Sequence, residues 1–484
     1  MKKLDLLLIE EDSEKRANTS GRIFIDLCFD KLKDAVFSEK PHLYDRFCFV
    51  LAHPMRDAET VAERRRIFED FCGYPGLLDS FAALCEQSAE YKNKVFHHEK
   101  FRNHFEQTTA QIETYNKLAD LLKRQSFKSK TLGKTDIKRC DELAVELKKA
   151  YRVTEKNGLG LQVKFSAGFK LKSAKLARTD PVQVEVRKIR KEVFRYDEDY
   201  FIFSGKSMSQ FVFEEDIYKG CQNNVSAIMS QINHNIRQFF IKLKQCVEFY
   251  QAALAIKQYL EQNNLPFCMP DVISGDHGGI DAAGLYDLSL SVYQGDDKNL
   301  VTNDFSFKDG NIIVITGLNQ GGKTTFLRSV GIAQLFAQAG LFVPADRYLC
   351  RCFCGILTHF PAEEDNNLDY GKLAEELTRL GGDFPILLDG GLALFNESFA
   401  STTAREGAEI SFDVLRALSK TGSCAVFVTH LYEFATKLDD LNRQLYNSSK
   451  AVSMVTEFKD KNTRTYKIIK GAPLDDIYAS EHIF

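Results

Sequence analysis

GLNQGGKTTFLRS, residues 317–329, is the stretch that decides the fold of the C-terminal part of the chain. It contains the spacing Gly-x4-Gly-Lys-Thr and follows directly on the apolar run NIIVIT, residues 311–316. A strand, a glycine-rich turn and a helix in this order bring backbone N–H groups and the positive end of a helix dipole to one point. The stretch therefore predicts a site for the phosphates of a nucleotide.

Individual residues of this loop have predicted tasks. Lys323 supplies a full positive charge to the β- and γ-phosphates, and the hydroxyl of Thr324 is placed to ligate magnesium. Glycine allows the backbone to approach the phosphates closely, because it has no side chain in the way. The other nucleotide contacts predicted from the loop are Gly317, Gly321, Gly322 and Thr325.

Length and composition set the limits for the rest of the chain. The length of 484 residues suggests about three domains, and a formal net charge of −3 gives no overall basic excess that would indicate nucleic-acid binding. The 12 cysteines have no paired metal-ligand spacing, which favours reduced structural thiols. Acidic residues interrupt the N-terminal apolar run, and no apolar run of about 18 residues occurs. We therefore expect a soluble, cytoplasmic protein without a membrane segment.

Three domains are predicted from the changing pattern along the chain. Residues 1–125 form an N-terminal segment and helical core, with helical periodicity in RIFIDLCFDKLKDAVF, residues 22–37. Residues 126–265 are predicted as two long lever helices that flank a small, mixed, basic insertion. From residue 266 to 484, apolar strand-like runs alternate with helices, which is typical of an α/β nucleotide-binding domain.

A longer string around the phosphate loop resembles a known family. TGLNQGGKTTFLRSVGIAQLFAQAGLFVPA, residues 316–345, is similar to the ATPase domain of the MutS family of DNA mismatch repair proteins, including the asparagine at Asn319, which the resemblance implies as a further nucleotide contact. The similarity continues through LTHFPAEEDNN (357–367), LALFNESFASTTAREGAEIS (392–411) and VFVTHLYEF (426–434). Upstream, PMRDAETVAERRRIFEDFCGYPGLLDSF (54–81) resembles the helical core of the same family.

This resemblance implies an α-helical core and lever domain followed by an α/β P-loop ATPase domain of the ABC type. It also implies ATP and Mg2+ as cofactors, a homodimer with nucleotide sites at the subunit interface, and DNA or another nucleic acid as partner. Fewer than about 40 residues precede the core, which is too few for a mismatch-reading domain and a connector. We therefore expect a shortened MutS-related protein.

The strand that ends in two acids in the family ends here in Asn396 and Glu397. Asn396 keeps an oxygen for the magnesium site but loses a full charge, so metal affinity should weaken. Glu397 is the predicted general base, and His430 is the predicted sensor of the γ-phosphate. The alternatives are that Asn396 and Glu397 only end a strand and that His430 is a structural histidine.

Two further candidates follow from the resemblance. Gly371 and Lys372 occupy the position of a serine that the family directs at the nucleotide of the partner subunit, although a plain solvated helix start explains them equally well. Tyr286 lies where the family stacks a ring on adenine, and a buried core tyrosine is the equal alternative.

A basic stretch between residues 164 and 195 is the candidate for nucleic-acid contact. Lys188, Arg190 and Lys191 form its densest part, and phosphate contacts require such clusters. The alternative is an ordinary solvated face.

The favoured interpretation is an ATPase that binds nucleic acid and switches conformation at a dimer interface, in DNA repair or recombination without direct mismatch reading. The alternative is a non-enzymatic, ATP-gated module for a protein or ribosomal partner, which Asn396 and the altered segment at Gly371 favour. A metabolic kinase with the same loop is disfavoured because no pocket for an acceptor substrate is visible.

Overall fold

The computed structural model of the chain describes fourteen ranges of residues: 4–9, 17–74, 76–90, 100–133, 137–155, 159–166, 170–178, 200–203, 212–275, 278–294, 300–361, 371–447, 449–459 and 464–473. Within these ranges, only the backbone is described for residues 100–102, 150, 152–222, 294 and 433. The chain divides into two compact units. The first consists of residues 1–4, 79–126 and 135–244, and the second of residues 5–78, 127–134 and 245–484.

Helices predominate in the first half of the chain, and strands alternate with helices in the second half. The helices are α1 (Ile23–Asp26), α2 (Phe29–Val36), α3 (Pro41–Leu51), α4 (Ala58–Gly73), α5 (Leu77–Glu90), α6 (Lys100–Lys123), α7 (Lys130–Gly133), α8 (Asp141–Glu155), α9 (Val212–Gln262), α10 (Leu288–Gln294), α11 (Lys323–Gln338), α12 (Lys372–Asp383), α13 (Ala404–Lys420), α14 (Tyr432–Thr436) and α15 (Leu438–Asn442). Among the helices of the described ranges, none is both long and apolar enough to cross a membrane.

The strands of the described ranges form three sheets. They are β1 (Leu159–Ser166), β2 (Lys170–Arg178), β3 (Tyr200–Phe203), β4 (Asp271–Ile273), β5 (Ile280–Leu285), β6 (Asn303–Ser306), β7 (Ile312–Thr316), β8 (Arg347–Arg351), β9 (Ile356–His359), β10 (Leu392–Asn396), β11 (Cys424–Val428), β12 (Ala451–Phe458) and β13 (Arg464–Lys470). The protein is thus helical with mixed α/β sheets.

The first unit contains helices and a small antiparallel sheet of order β2-β1-β3. In α6, the buried Gln111 accepts a hydrogen bond from the Ser88 hydroxyl at 2.7 Å and donates one to the Ser88 carbonyl. Phe105 of α6 stacks on Tyr151 of α8, with ring centroids 3.9 Å apart. The sheet lies between α8 and the 51-residue helix α9 in the sequence.

The second unit contains a six-stranded sheet of order β13-β12-β7-β11-β10-β9 and a four-stranded sheet of order β4-β8-β5-β6. In the larger sheet, β12, β7, β11, β10 and β9 run parallel, and β13 is antiparallel to β12. Every residue of β7, β10 and β11 is buried, as expected of parallel strands covered on both faces. Helices α13, α14 and α15 pack their apolar residues, among them Leu415 and Phe434, against this sheet.

Nearly all residues of helix α11 are buried. At Gly331, an added Cβ would lie 2.8 Å from Leu27 and 2.9 Å from Leu394, so the helix touches both neighbours with no spare room. Beyond the end of α11, an added Cβ on Gly340 would lie 2.9 Å from the backbone nitrogen of Arg65 in α4. Only glycine allows this close approach of two backbone segments.

The helical pattern at residues 22–37 is not continuous in the structure. Cys28 has a left-handed φ of 54° and separates α1 from α2. The Leu27 side chain is fully buried against the Gly331 region of α11, and the Leu27 carbonyl accepts a hydrogen bond from the Ser289 hydroxyl at 2.9 Å. These tertiary contacts outweigh the local helical preference, which is a weak force by comparison.

The cysteines whose side chains the structure describes are free thiols. Burial raises the pKa of Cys350 well above its usual range and that of Cys352 to about 12. These thiols are therefore protonated at neutral pH, and within the described ranges no group of three or more potential metal ligands occurs.

Candidate nucleotide-binding site

Three neighbouring strands bring the predicted site residues to one edge of the six-stranded sheet. The phosphate loop follows β7, Asn396 and Glu397 lie at the end of β10, and His430 follows β11. Because β7, β11 and β10 are adjacent and parallel, their carboxyl ends meet at the same edge. Ligands of α/β sheets bind at this edge. Asp389, another acid that follows an apolar run, lies in a turn before β10.

The loop between β7 and α11 needs glycine at two positions for conformational reasons. Gly317 has a φ of 133° and Gly322 a φ of 89°, both of which side chains disfavour. A Cβ on Gly317 would also lie 2.1 Å from the Thr456 hydroxyl on β12. The loop therefore lies directly against β12, and α11 begins immediately after Gly322.

Lys323 is 5% exposed and turns its ammonium group back into the loop. Its Nζ donates to the carbonyl oxygens of Gly317 at 2.5 Å and Leu318 at 3.3 Å. The same Nζ lies 3.8 Å from Glu397 Oε1. The positive charge is thus held at the centre of the loop, where a phosphate would bind.

Thr324 and Asn396, the two predicted magnesium ligands, are in direct contact. The Thr324 hydroxyl donates a hydrogen bond to Asn396 Oδ1 at 3.0 Å. Two neutral oxygen atoms therefore meet beside the loop, and oxygen is the ligand type that magnesium prefers.

Glu397 lies in a sharp turn directly after β10. Its φ of 50° is left-handed, and its backbone N–H donates to Val428 O at 2.9 Å. Its Oε1 lies 2.9 Å from Nε2 of His430, a hydrogen-bond distance. Its Oε2 is buried and has no hydrogen-bond partner among the described residues. Left-handed backbone and unpaired buried oxygens are costly and are concentrated at functional sites.

A cavity of about 440 Å³ opens beside the loop. Its lining includes the loop residues Asn319, Gln320, Gly321, Gly322, Lys323, Thr324 and Thr325, together with Tyr286, Asp287, Leu290, Ser291, Leu300, Val301, Asn303, Glu397 and Tyr466. Most of the predicted nucleotide contacts are therefore brought together around one space.

The remaining predicted residues are buried, lie outside the cavity lining, or fall outside the described residues. Tyr286 lines the cavity, but it is 1% exposed, and its hydroxyl donates to Pro266 O at 2.8 Å. Gly371 and Lys372 are exposed at the start of α12. Lys188, Arg190 and Lys191 lie outside the described residues.

Helix α12 and the end of β9 contribute contacts to the turn after β10 that the sequence pattern did not indicate. The Glu376 carboxylate accepts the backbone N–H of Phe399 at 3.1 Å, and Phe399 has a left-handed φ of 64°. The buried His359 lies 2.8 Å from the Ser398 hydroxyl through Nδ1. Burial and the nearby Arg379 lower the pKa of His359 to about 4, so this histidine is neutral at physiological pH. No linear spacing signals these pairs, because their members are 23 and 39 residues apart.

The fold and this geometry define the P-loop class of nucleotide-binding domains, in which a glycine-rich loop joins a strand to a helix at the carboxyl edge of a parallel sheet. Residues 313–478 also match the sequence model of a particular family, described as MutS domain V. The C-terminal part of the chain is thus similar to MutS domain V over the matched residues.

Several curated proteins are similar over the same region. The DNA mismatch repair protein MutS of Prochlorococcus marinus (strain AS9601) is 29% identical over 177 residues, or 36% of this chain and 19% of that protein. Endonuclease MutS2 of Pediococcus pentosaceus is 33% identical over 184 residues, or 37% of this chain and 22% of that protein. MutS protein homolog 4 of Mus musculus is 28% identical over 178 residues. The matched segment spans about a fifth of the length of these relatives.

Proposed function

We propose that the protein is a MutS-related ATPase that binds ATP with magnesium in the cavity and hydrolyses it slowly. The observation that carries this proposal is the position of Glu397, 2.9 Å from His430 Nε2 and 3.8 Å from Lys323 Nζ, in the wall of the cavity. A base, a phosphate-binding lysine and a hydrogen-bond donor at one edge are the groups that this hydrolysis requires.

Glu397 acts as the base in this proposal. Its carboxylate, whose Oε1 lies 2.9 Å from His430 Nε2, would accept a proton from the attacking water. Lys323 exchanges the carbonyls of Gly317 and Leu318 for phosphate oxygens, and the loop N–H groups bind the same anion.

The residues around Thr324 fit a magnesium ion, although weakly. Thr324 Oγ1 and Asn396 Oδ1 would hold the ion or its water shell, since both are hard oxygen ligands beside the loop. When bound, magnesium neutralises charge on the phosphates. Asn396 supplies no negative charge, so we propose a weak metal site and slow turnover.

The substitution Asn396→Asp is expected to lower the magnesium concentration needed for half-maximal ATP hydrolysis, because it adds a full negative charge beside Thr324. In a titration of ATPase activity with magnesium, we expect a shift of about tenfold, which corresponds to about 1.4 kcal/mol of added metal affinity. Asn264→Asp adds the same charge at an exposed position outside the cavity and should cause no shift. Equal titrations for Asn396→Asp and the parent would exclude Asn396 from the metal site.

In the whole protein, we propose that a helical core and lever helices precede the ATPase domain. Two copies share their nucleotide sites, with the exposed N-terminus of α12 at Gly371 and Lys372 facing the nucleotide of the second copy. ATP binding then switches the levers between two states. Related proteins are named for DNA mismatch repair and as an endonuclease. We extend to this chain the binding of DNA or another nucleic acid, in repair or recombination.

Nucleic-acid binding is expected to depend on the basic stretch. Replacing Lys188, Arg190 and Lys191 together by alanine should weaken binding and flatten its salt dependence. Each lost phosphate contact removes about 0.9 from the slope of log K against log salt for duplex DNA, so three contacts remove up to about 2.7. Filter binding at several salt concentrations, with and without ATP, measures this slope.

The matched control replaces Lys123, Lys148 and Lys149 by alanine. These lysines are exposed, so the control removes the same charge at another place in the chain. If both triple variants leave the slope unchanged while the parent binds nucleic acid, the basic stretch is an ordinary solvated face. If the parent binds no duplex, branched or single-stranded DNA or RNA, the ATP-gated module for a protein partner becomes the better interpretation.

A further inference from the structure

The cavity beside the phosphate loop contains one aromatic ring that is available to a ligand among the described residues of its lining. Three aromatic side chains line this cavity: Tyr286, Phe326 and Tyr466. Tyr286 is 1% exposed and Phe326 is 2% exposed, so neither can present a face of its ring to a second flat molecule. Tyr466 is 45% exposed, which leaves much of its ring accessible.

The backbone at Tyr466 is distorted in a way that redirects this side chain. Strand β13 pairs Arg464 with Phe458 and Ile468 with Thr456, so three residues of β13 face a single residue of β12. Tyr466 is the middle one of these three and has a left-handed φ of 57°. Bulges of this kind change the direction of a side chain and occur next to active sites. A left-handed aromatic residue is unfavourable unless its surroundings hold it there.

Contacts on both sides of Tyr466 hold this conformation. The Asn303 side chain donates from Nδ2 to Tyr466 O at 3.4 Å and accepts the Ile468 N–H at 2.8 Å. An added Cβ on Gly322 would lie 3.3 Å from Tyr466 Cβ. Arg464 donates to Gln320 O at 3.3 Å, which ties the same bulge to the phosphate loop. The tyrosine is therefore fixed beside the last glycine of the loop.

We propose that the ring of Tyr466 is the surface on which the base of the bound nucleotide stacks; this rests on the proposed nucleotide binding. The phosphates would lie at the loop, and Tyr466 lines the same cavity with its Cβ close to Gly322. Every base has a π-face, so stacking strengthens binding without reading hydrogen-bonding edges. The site should consequently take both purine nucleoside triphosphates, ATP and GTP, with similar dependence on the ring.

The test compares Tyr466→Ala, Tyr466→Asn and Tyr466→Phe with the parent by calorimetric titration with ATP, GTP and inorganic tripolyphosphate. Asparagine tolerates a left-handed backbone, so Tyr466→Asn removes the ring while keeping the bulge. Tyr446→Ala is the matched control, since Tyr446 is equally exposed, at 45%, and lies outside the cavity lining. Thermal melting verifies that each variant is folded.

We expect Tyr466→Ala and Tyr466→Asn to raise the Kd of both nucleotides about tenfold, which is a typical loss for one stacked base. Tyr466→Phe and Tyr446→Ala should stay within about twofold of the parent, and tripolyphosphate binding should be unchanged in every variant.

Three results would overturn the stacking proposal. Parent-like affinity of Tyr466→Asn would exclude a contact with the ring. A loss in Tyr466→Phe as large as in Tyr466→Ala would assign the role to the hydroxyl group instead. An equal loss for tripolyphosphate would mean that Tyr466 only supports the loop. If the parent itself binds neither nucleotides nor tripolyphosphate, the proposed function fails together with this inference.

Discussion

Replacing Lys323 by alanine should raise the Kd for ATP at least about 100-fold, and this is the largest effect on binding that we expect from one substitution. A hydrogen bond to a charged group contributes about 1.5–3 kcal/mol, and Lys323 can make such bonds to two phosphate groups. The Lys323 side chain is 5% exposed and its Nζ is already directed into the loop, so little ordering of the side chain is required on binding. Equilibrium titration with a fluorescent ATP analogue measures the loss.

A control is needed because Lys323 also holds the loop through Gly317 O and Leu318 O. Lys308→Ala removes the same charge from a side chain that is 70% exposed, and it should leave the Kd unchanged. Thermal melting of Lys323→Ala reports any loss of loop structure separately. ATP binding by Lys323→Ala within twofold of the parent would contradict the assignment of the phosphate site.

Replacing Glu397 by glutamine should lower the rate of ATP hydrolysis by about 10²–10⁴, the usual contribution of a positioned general base. Glutamine has nearly the same shape and can still accept a hydrogen bond from His430, but its amide cannot take a proton from water. ATP affinity should be retained or improved, because a negative charge 3.8 Å from Lys323 is removed.

The measurements are single-turnover hydrolysis and sedimentation velocity in the presence of ATP and magnesium. Since Glu397→Gln retains uncleaved ATP, it should also accumulate the proposed ATP-bound dimer. Glu409→Gln is the control, as Glu409 lies on the exposed face of α13. If Glu397→Gln hydrolyses ATP at the parent rate, Glu397 is not the base. If the parent shows no turnover at saturating magnesium, the protein only holds its nucleotide.

The local part of the site could be predicted from the sequence. The phosphate loop is contiguous, and its glycine spacing encodes the turn directly. Asn396 and His430 were candidates through the family resemblance of two short runs that each end a strand, and parallel strands place such ends together. These features depend on neighbours in the chain, which is the information that a single sequence carries best.

Features that depend on distant residues could not be predicted. The Glu376 carboxylate accepts a hydrogen bond from the Phe399 N–H, 23 residues further along the chain, and no pattern in either segment predicts this contact. The sequence does not distinguish the environments of Tyr286 and Tyr466, and only the fold shows that the first is buried and the second exposed. The break at Cys28 likewise results from contacts of Leu27 with α11, which lies some three hundred positions away.

The joint between α11 and α4 gives the unit a mechanical property. Helix α11 has 16 residues, which makes it about 24 Å long, and its first residue is the phosphate-site lysine. At its far end, Gly340 leaves no room even for a methyl group against the backbone of Arg65. A helix packed this closely at both ends transmits a displacement instead of absorbing it, because tightly packed protein has low compressibility. A displacement of the phosphate loop by about one ångström would therefore displace α4 by nearly the same distance.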